Sequence, residues 1–277
     1  MIDFALDEFL VAALREDLGR AGDLTTSAIV PAGRLGSAVV VARAAGTISG
    51  LAAAARTFTL LDPSIIVERF AHDGETVAAG TRLATLTGEL RAILSGERTA
   101  LNVLGRLSGI ATATRRYADL VAGTRATIVD TRKTTPGMRA LEKAAVRDGG
   151  GKNHRFGLDD AILIKDNHVA IAGGIARALE AARAHAGHLV KVEVEVDTPA
   201  QLDEALDSCA DVILLDNFTL AELSEAVRRT NGRALLEASG GVHLATVRAI
   251  AESGGDLISV GALTHSSPAL DVALDID

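Results

Sequence analysis

The stretch Val190-Lys-Val-Glu-Val-Glu-Val-Asp-Thr-Pro-Ala-Gln-Leu-Asp-Glu-Ala-Leu-Asp-Ser-Cys-Ala-Asp-Val-Ile-Leu-Leu-Asp216 decides the fold. Valine-rich 190–196 and apolar 211–215 read as strands, and 199–208 between them reads as a helix. A strand, a helix and a strand in succession call for a parallel pair joined by a right-handed crossover. The alternation continues on both sides. Further strands are expected at 126–131, 161–165, 234–238 and 256–260, and further helices at 138–147, 169–186, 219–230 and 243–253. The strands are apolar runs, as expected when both faces of a sheet are covered. Six units fall short of the eight of a complete β/α barrel, so either one strand escapes this reading or the barrel is incomplete. An open doubly wound sheet is the alternative, but no Gly-x-Gly-x-x-Gly opens a helix after a strand.

Each expected strand ends in polar residues or glycine: Asp130-Thr-Arg132-Lys133, Lys165-Asp-Asn-His168, Glu193-Val-Glu195-Val-Asp197, Asp216-Asn217, Glu237-Ala-Ser239-Gly240-Gly241 and Gly261-Ala-Leu-Thr264-His265. One polar strand end means little, because strands have to stop. Six in succession point to the C-terminal rim of a barrel, where such folds place their sites. The groups divide by charge. Arg132, Lys133, Lys152, His154, Arg155, Lys165 and His168 lie next to strand ends or glycine turns, as in a pocket for a small polyanion, and of these Arg132, His154, Arg155 and Lys165 offer donors to carboxylates or phosphates. Glu195 and Asp216 end neighbouring strands and suit a magnesium ion that keeps its waters; neutralising the cations is the plainer account. Glu193 shares the face of Glu195, so alternation does not choose between them. Ser239-Gly240-Gly241 and Gly261-Ala262 let backbone N–H groups approach a phosphate. Lys165 could instead form a Schiff base, as in aldolases. Its cationic neighbours and Asp166 favour a charged ligand. His168 and His265 read equally as acid–base groups or as hydrogen-bonded structural ones.

Ahead of this region, 3–18 is an amphipathic helix stopped by Gly19, and 22–26 a tight polar turn. A strand is expected at 37–43, a helix at 51–61, and short strands with turns at His72-Asp73-Gly74 and Ala79-Gly80. Residues 73–83 resemble the hairpin of biotinyl and lipoyl carriers, but 71–96 contain no lysine to take the cofactor. Residues 90–123 are helical with a bend expected between Gly105 and Gly109, and Glu97-Arg98 reads from spacing as a surface ion pair.

The 277 residues are 48% hydrophobic and 23% charged, which fits a folded globular chain rather than a disordered one. A net charge of −8 argues against nucleic acid as the main partner. Cys209 stands alone, so no disulfide framework is expected. Met1-Ile2-Asp3-Phe4 shows no basic leader, and no apolar run approaches the roughly 20 residues of a membrane span. Cytoplasmic location is the expectation.

Taken together, the motifs closely resemble the quinolinate phosphoribosyltransferase family, the carboxylating nicotinate-nucleotide pyrophosphorylases. They include Glu16-Asp-Leu-Gly19, Gly22-Asp-Leu-Thr-Thr26, Glu97-Arg98 with Asn102, Leu107–Thr112, Asp130–Thr134, Gly150–Arg155, Leu163–His168, Glu193–Asp197, Leu215–Asn217, Ser239–Gly241 and Val260–His265. The intact set of Arg132, His154, Arg155 and Lys165 favours this family over a paralogous phosphoribosyltransferase with another acceptor. The resemblance implies an N-terminal α/β sandwich domain (1–108), an incomplete parallel β/α barrel of six or seven strands (109–267) and a tail (268–277) returning to the first domain. It implies a homodimer whose N-terminal domain lends Arg98 to the quinolinate site of the other subunit. Arg132, His154, Arg155 and Lys165 then look like quinolinate ligands. Lys133, Glu195 and Asp216 look like the phosphoribosyl pyrophosphate (PRPP) and Mg2+ site, the metal held through water, with Ser239, Gly240, Gly261 and His265 as phosphate contacts. Lys133, Lys165, Glu195 and Asp216 are the expected catalytic residues.

Overall fold

The computed structural model describes residues 3–276; Met1 and Ile2, the start of the stretch read for a leader, and Asp277, the end of the expected tail, lie outside them. The chain packs as two compact units, one of residues 1–115, 135–150 and 266–277, the other of 116–134 and 151–265.

In chain order the elements are α1 (Asp3–Leu18), α2 (Leu24–Ile29), β1 (Leu35–Ala42), β2 (Gly46–Thr47), α3 (Leu51–Leu61), β3 (Ile66–Arg69), β4 (Thr76–Val77), β5 (Arg82–Glu89) and α4 (Leu90–Val121). There follow β6 (Thr127–Val129), α5 (Arg139–Asp148), β7 (Ile162–Ile164), α6 (Asp166–Ala172), α7 (Ile175–His185), β8 (Val192–Val196) and α8 (Pro199–Asp207). The chain continues through β9 (Val212–Asp216), α9 (Leu220–Thr230), β10 (Leu235–Ser239), α10 (Val247–Glu252), β11 (Leu257–Ser259), α11 (Ala262–His265) and β12 (Val272–Ile276).

The first unit is built on an antiparallel sheet, β12-β1-β5-β3. Val40, Ala42, Leu83 and Leu86 pack with Ile48, Phe58, Ile93 and Leu104 of the neighbouring helices and turns into one apolar core. The expected turn at 22–26 is instead a helix start: Asp23 accepts the Thr26 amide at 2.9 Å and caps α2. The carrier-like hairpin is tied into its unit, since Asp73 accepts the amide of Leu51 at 3.0 Å and β4 pairs with β2. Burial, above all, raises the Asp73 carboxyl. The bend expected at Gly105–Gly109 does not occur, and α4 runs unbroken. These glycines serve a close approach. A Cβ on Gly109 would lie 2.0 Å from the Pro268 carbonyl oxygen, and one on Gly105 2.9 Å from that of Leu270. The segment around Pro268 lies directly on the helix, the Leu270 amide bonds the Gly105 carbonyl, and β12 then pairs with β1.

The second unit is a parallel sheet of six strands, β6-β11-β10-β9-β8-β7, each expected strand being present with its bounds shifted by one or two residues. A seventh rung lies outside β6, where Lys152 pairs in parallel with Val129 through two backbone bonds of 2.9 and 3.2 Å. The expected helix 169–186 is two helices, because Gly173 and Gly174 break it at φ +82° and +136°. Helices α8 and α9 begin with capping boxes, Thr198 with Gln201 and Thr219 with Glu222. The expected helix at 243–253 shortens to Val247–Glu252, with a turn at His243–Thr246.

The strands differ from the expectation in one consequential way. One face is apolar throughout, with Val194, Val196, Ile213, Leu215, Leu236 and Ile258 buried. The other carries Glu193, Glu195, Asp216, Glu237, Ser239 and Ser259. The pairing register aligns these in layers: Glu195 with Leu214 with Glu237, then Asp216 with Ser239 one step nearer the strand ends. Period two along each strand and parallel register between strands thus build the site before any loop is considered.

Candidate active site

Above this polar face lies a cavity of about 460 Å³ lined by Thr131, Arg132, Lys133, His154, Arg155, Lys165, Glu195, Asp216, Glu237 and Ser239, among others. A second, of about 400 Å³, shares Thr131, Lys133, Asp216 and Ser239 with it and adds Asn217, Gly240, Gly241, Gly261 and His265. The two form one site with two compartments, the first rich in cationic side chains, the second in glycine and backbone.

The cationic compartment begins at Asp130. Fully buried at the end of β6, its carboxylate accepts the His154 amide at 2.9 Å and the Asn153 side-chain amide. One side chain therefore joins the Asp130–Lys133 and Lys152–Arg155 motifs. Arg132 keeps a buried Nε–H with no acceptor among the described residues. Burial, with the Arg132 charge as second cause, lowers the Arg155 guanidinium from its ordinary value. Two guanidiniums this close, one with an unused donor, form a receptor for an anion. Lys165 reaches Glu195 at 3.0 Å with its side chain half-exposed. An exposed ammonium held by a carboxylate lacks the apolar pocket that activates a Schiff-base lysine. His154 lines the cavity, yet both ring nitrogens face protein groups: Nδ1 accepts the Arg155 amide at 2.8 Å, and Nε2 lies 2.9 Å from Glu193.

The glycine compartment is built by close approach. Gly240 has φ +89°, and a Cβ there would stand 2.1 Å from Asn217 Oδ1. Asn217, itself left-handed at φ +56°, donates its side-chain amide to Asp216 at 2.7 Å. A Cβ on Gly261 would meet Lys133 Cδ at 3.1 Å and His265 Nε2 at 3.3 Å, so the bare glycine makes room for both side chains. The buried Thr264 hydroxyl donates to the Lys133 carbonyl at 2.7 Å and anchors that lysine's backbone.

Glu195 and Asp216, partly exposed on neighbouring strands, line the same cavity and present hard carboxylate oxygens, the donor type that suits a magnesium ion. A carboxylate has about four lone-pair sites, so the Lys165 contact does not exhaust Glu195.

Three expected groups lie elsewhere. His168 caps α6, its Nδ1 accepting the Lys165 amide at 2.9 Å, which is the structural alternative. Lys152 contributes its backbone to the sheet. Arg98 is exposed and, in the first unit, lines a hollow with Glu16, Asp17, Asn102 and Arg106. The Glu97–Arg98 ion pair is not found among the described residues, since helical neighbours point about 100° apart.

Sequence reasoning assigned no part to Asp130, Asn217, Glu237 or Thr264, and left Glu193 as the unresolved alternative to Glu195. Glu193 and Glu237 had a usable signal, charged residues at alternate positions within apolar strands. The long-range partners of Asp130 and Thr264 had none.

The chain is similar to known proteins over nearly its whole length. The model for the quinolinate phosphoribosyl transferase N-terminal domain matches residues 23–108, and that for the C-terminal domain matches 110–275. The chain is 46% identical over 272 residues to the nicotinate-nucleotide pyrophosphorylase [carboxylating] of Mycobacterium leprae, covering 95% of this chain and 94% of that protein. It is 44% identical over 274 residues to the probable nicotinate-nucleotide pyrophosphorylase [carboxylating] of Synechocystis, covering 98% and 92%. The solved nicotinate-nucleotide pyrophosphorylase of Francisella tularensis superposes with TM-score 0.96 at 37% identity, covering 100% of this chain and 98% of that one.

Proposed function

The chain belongs to the quinolinate phosphoribosyltransferase family, and from that premise we propose how its two-compartment cavity works. It is a phosphoribosyltransferase of NAD biosynthesis that joins the phosphoribosyl group of PRPP to quinolinate, giving nicotinate mononucleotide, pyrophosphate and CO2. One observation carries the assignment of the site. A cationic compartment sized for a small dicarboxylate adjoins a glycine-lined compartment suited to phosphates, with Lys133 bordering both.

Arg132, Arg155 and Lys165 bind and orient the two quinolinate carboxylates, the guanidiniums through paired N–H donors. Ser239, Gly240, Gly261 and His265 cradle phosphate through hydroxyl, backbone and imidazole donors. In the reaction the bond from ribose C1 to the pyrophosphate oxygen breaks, its electron pair leaving with the oxygen. Lys133 stands where that charge develops and stabilises it. The pyridine nitrogen, held in place through its carboxylates, gives its lone pair to C1 and becomes positive. The neighbouring carboxylate then departs as CO2. Its bonding pair stays on the ring carbon, stabilised by the cationic nitrogen, and that carbon takes up a proton. Glu195 and Asp216 would hold Mg2+, which would neutralise the charge that develops on the departing pyrophosphate. Positioning and charge account for catalysis without a covalent enzyme intermediate.

Arg98 completes the quinolinate pocket of a second copy in a homodimer. Its exposure in the first unit, with exposed Leu24, Ile29 and Leu35 in the same unit, supports that reading. Among the described residues no helix is long and apolar enough to cross a membrane. Nicotinate mononucleotide formation is the test: quinolinate with PRPP yields product, and nicotinate in its place does not. Turnover of nicotinate alone would overturn the acceptor assignment. Mixing inactive Arg98→Ala and Lys165→Ala proteins restores partial activity if the arginine acts across subunits; no recovery refutes the shared site.

A further inference from the structure

Where β9 ends, the chain turns on a non-glycine residue in the left-handed region. Asn217 has φ +56°, a conformation that few L-residues other than asparagine and aspartate adopt readily. Two other described residues share it, Cys209 and Asn231, and both close helices, α8 and α9. Asn217 closes a strand, beside Asp216 and against the glycine turn after β10. Its amide bonds the Ser239 carbonyl at 3.0 Å, one step past the Asp216–Ser239 pair of the sheet. The turn then folds the side chain back, and Nδ2 donates to Asp216 Oδ2 at 2.7 Å. A carboxylate only accepts, so the NH2 end of the amide must face it. The other end, Oδ1, takes the space beside Gly240, where a Cβ would stand 2.1 Å away. One amide thus touches both a carboxylate suited to magnesium and the turn suited to phosphate.

We propose that Asn217 is a positioning residue for the metal half of the site: its amide fixes the Asp216 carboxylate by one oxygen and leaves the other for the Mg2+–PRPP complex. The inference rests on the reading above that Asp216 serves that complex. Among the described residues Asp216 Oδ1 accepts no hydrogen bond, so the fixed carboxylate still has an oxygen to offer. Glu195 is held in a parallel way, with Lys165 Nζ on its Oε2 at 3.0 Å. The two donors differ in kind. Lys165 is a cation with a substrate carboxylate of its own to bind. Asn217 is neutral and orients Asp216 without adding positive charge beside a cation site. Carboxylates that serve a metal are themselves hydrogen-bonded as a rule, and removing such a partner costs about 10–100-fold in metal affinity. The backbone agrees with a fixed role. The Ser239 bond holds the main chain of Asn217, the left-handed turn aims its side chain, and the bare Gly240 leaves room for Oδ1.

The experiment is calorimetry of PRPP binding to the whole enzyme, once with Mg2+ and once with a chelator. The affinity gained on adding Mg2+ reports on the metal half of the site. Asn217→Gly keeps the left-handed turn and removes the amide. It is expected to cut that gain by about 10-fold or more. Metal-free PRPP affinity and quinolinate affinity should stay at wild-type values, the second showing that the variant is folded. An undiminished gain would overturn the proposal. So would equal losses with and without Mg2+, which would make Asn217 a prop of the phosphate turn alone. A second arm combines Asn217→Gly with Asp216→Ala. If the asparagine acts through the aspartate, the double variant binds Mg2+ and PRPP no worse than Asp216→Ala alone, whereas additive losses refute that route. Asp216→Ala by itself separates this inference from its premise. A full Mg2+ gain in that variant would sink the metal role of Asp216, whatever Asn217→Gly shows.

Discussion

The antiparallel sheet of the first unit and the parallel sheet of the second make opposite use of a buried face. Val40, Ala42, Leu83 and Leu86 fill the first with hydrocarbon, at most 4% exposed. In the second, Glu193 and Glu237 are 6% and 1% exposed, and Glu195 and Glu237 line the cavity above the sheet. Apolar burial contributes roughly 25 cal/mol per Å² to folding, whereas each buried carboxylate opposes it until paired or protonated. The buried face of the first sheet stabilises the fold. The other gives up stability to keep charges where a ligand can use them.

Substitutions that break each face in turn should separate stability from activity. Phe58→Ala, which empties a fully buried ring site in the first unit, should cost about 4 kcal/mol in urea unfolding. Its folded fraction should keep wild-type kcat/KM. Arg132→Ala should do the reverse, lowering kcat/KM for quinolinate roughly 100-fold (about 3 kcal/mol) with the urea midpoint unmoved. A shifted midpoint would mean that the binding face also supports the fold.

The third effect sharpens the comparison through pH. The Glu237 carboxyl rises from the ordinary 4.5 to about 7 on folding. Between those values the folded state keeps a proton that the unfolded chain has released. Its stabilisation is therefore full below the unfolded value and is lost as pH rises through about 7. Glu237→Gln removes that dependence. Comparing unfolding at pH 5 and pH 7, the fall in stability should be about 2 kcal/mol smaller in the variant. Parallel curves for the two proteins would contradict the raised carboxyl. The smallest effect belongs to Gly261→Ala, whose methyl crowds Lys133 and His265. The PRPP KM should rise about 10-fold, near 1.4 kcal/mol, with quinolinate affinity unchanged.

Much of the second unit was legible in sequence because parallel strands and crossover helices are local signals. All six expected strands are there, and the residues at their ends do converge. What escaped was set by distance. The glycines at 105 and 109 read as a bend because nothing nearby announces the segment around Pro268 that needs the space. Glu193 and Glu195, two positions apart on one face, could not be told apart by alternation. Their partners distinguish them, His154 for the first and Lys165 for the second. The apolar look of the strands also concealed that one face was reserved for carboxylates.

The pairing of β12 with β1 has a bearing on biosynthesis. On the ribosome β1 is made early, but its neighbour emerges only after the whole of 151–265. Until then the nascent first unit carries an open strand edge, and α4 keeps a bare backbone track at Gly105 and Gly109. An unpaired edge of that kind invites pairing with other chains. The earliest-made unit is thus completed last, and through that interval its open edge is exposed to other chains.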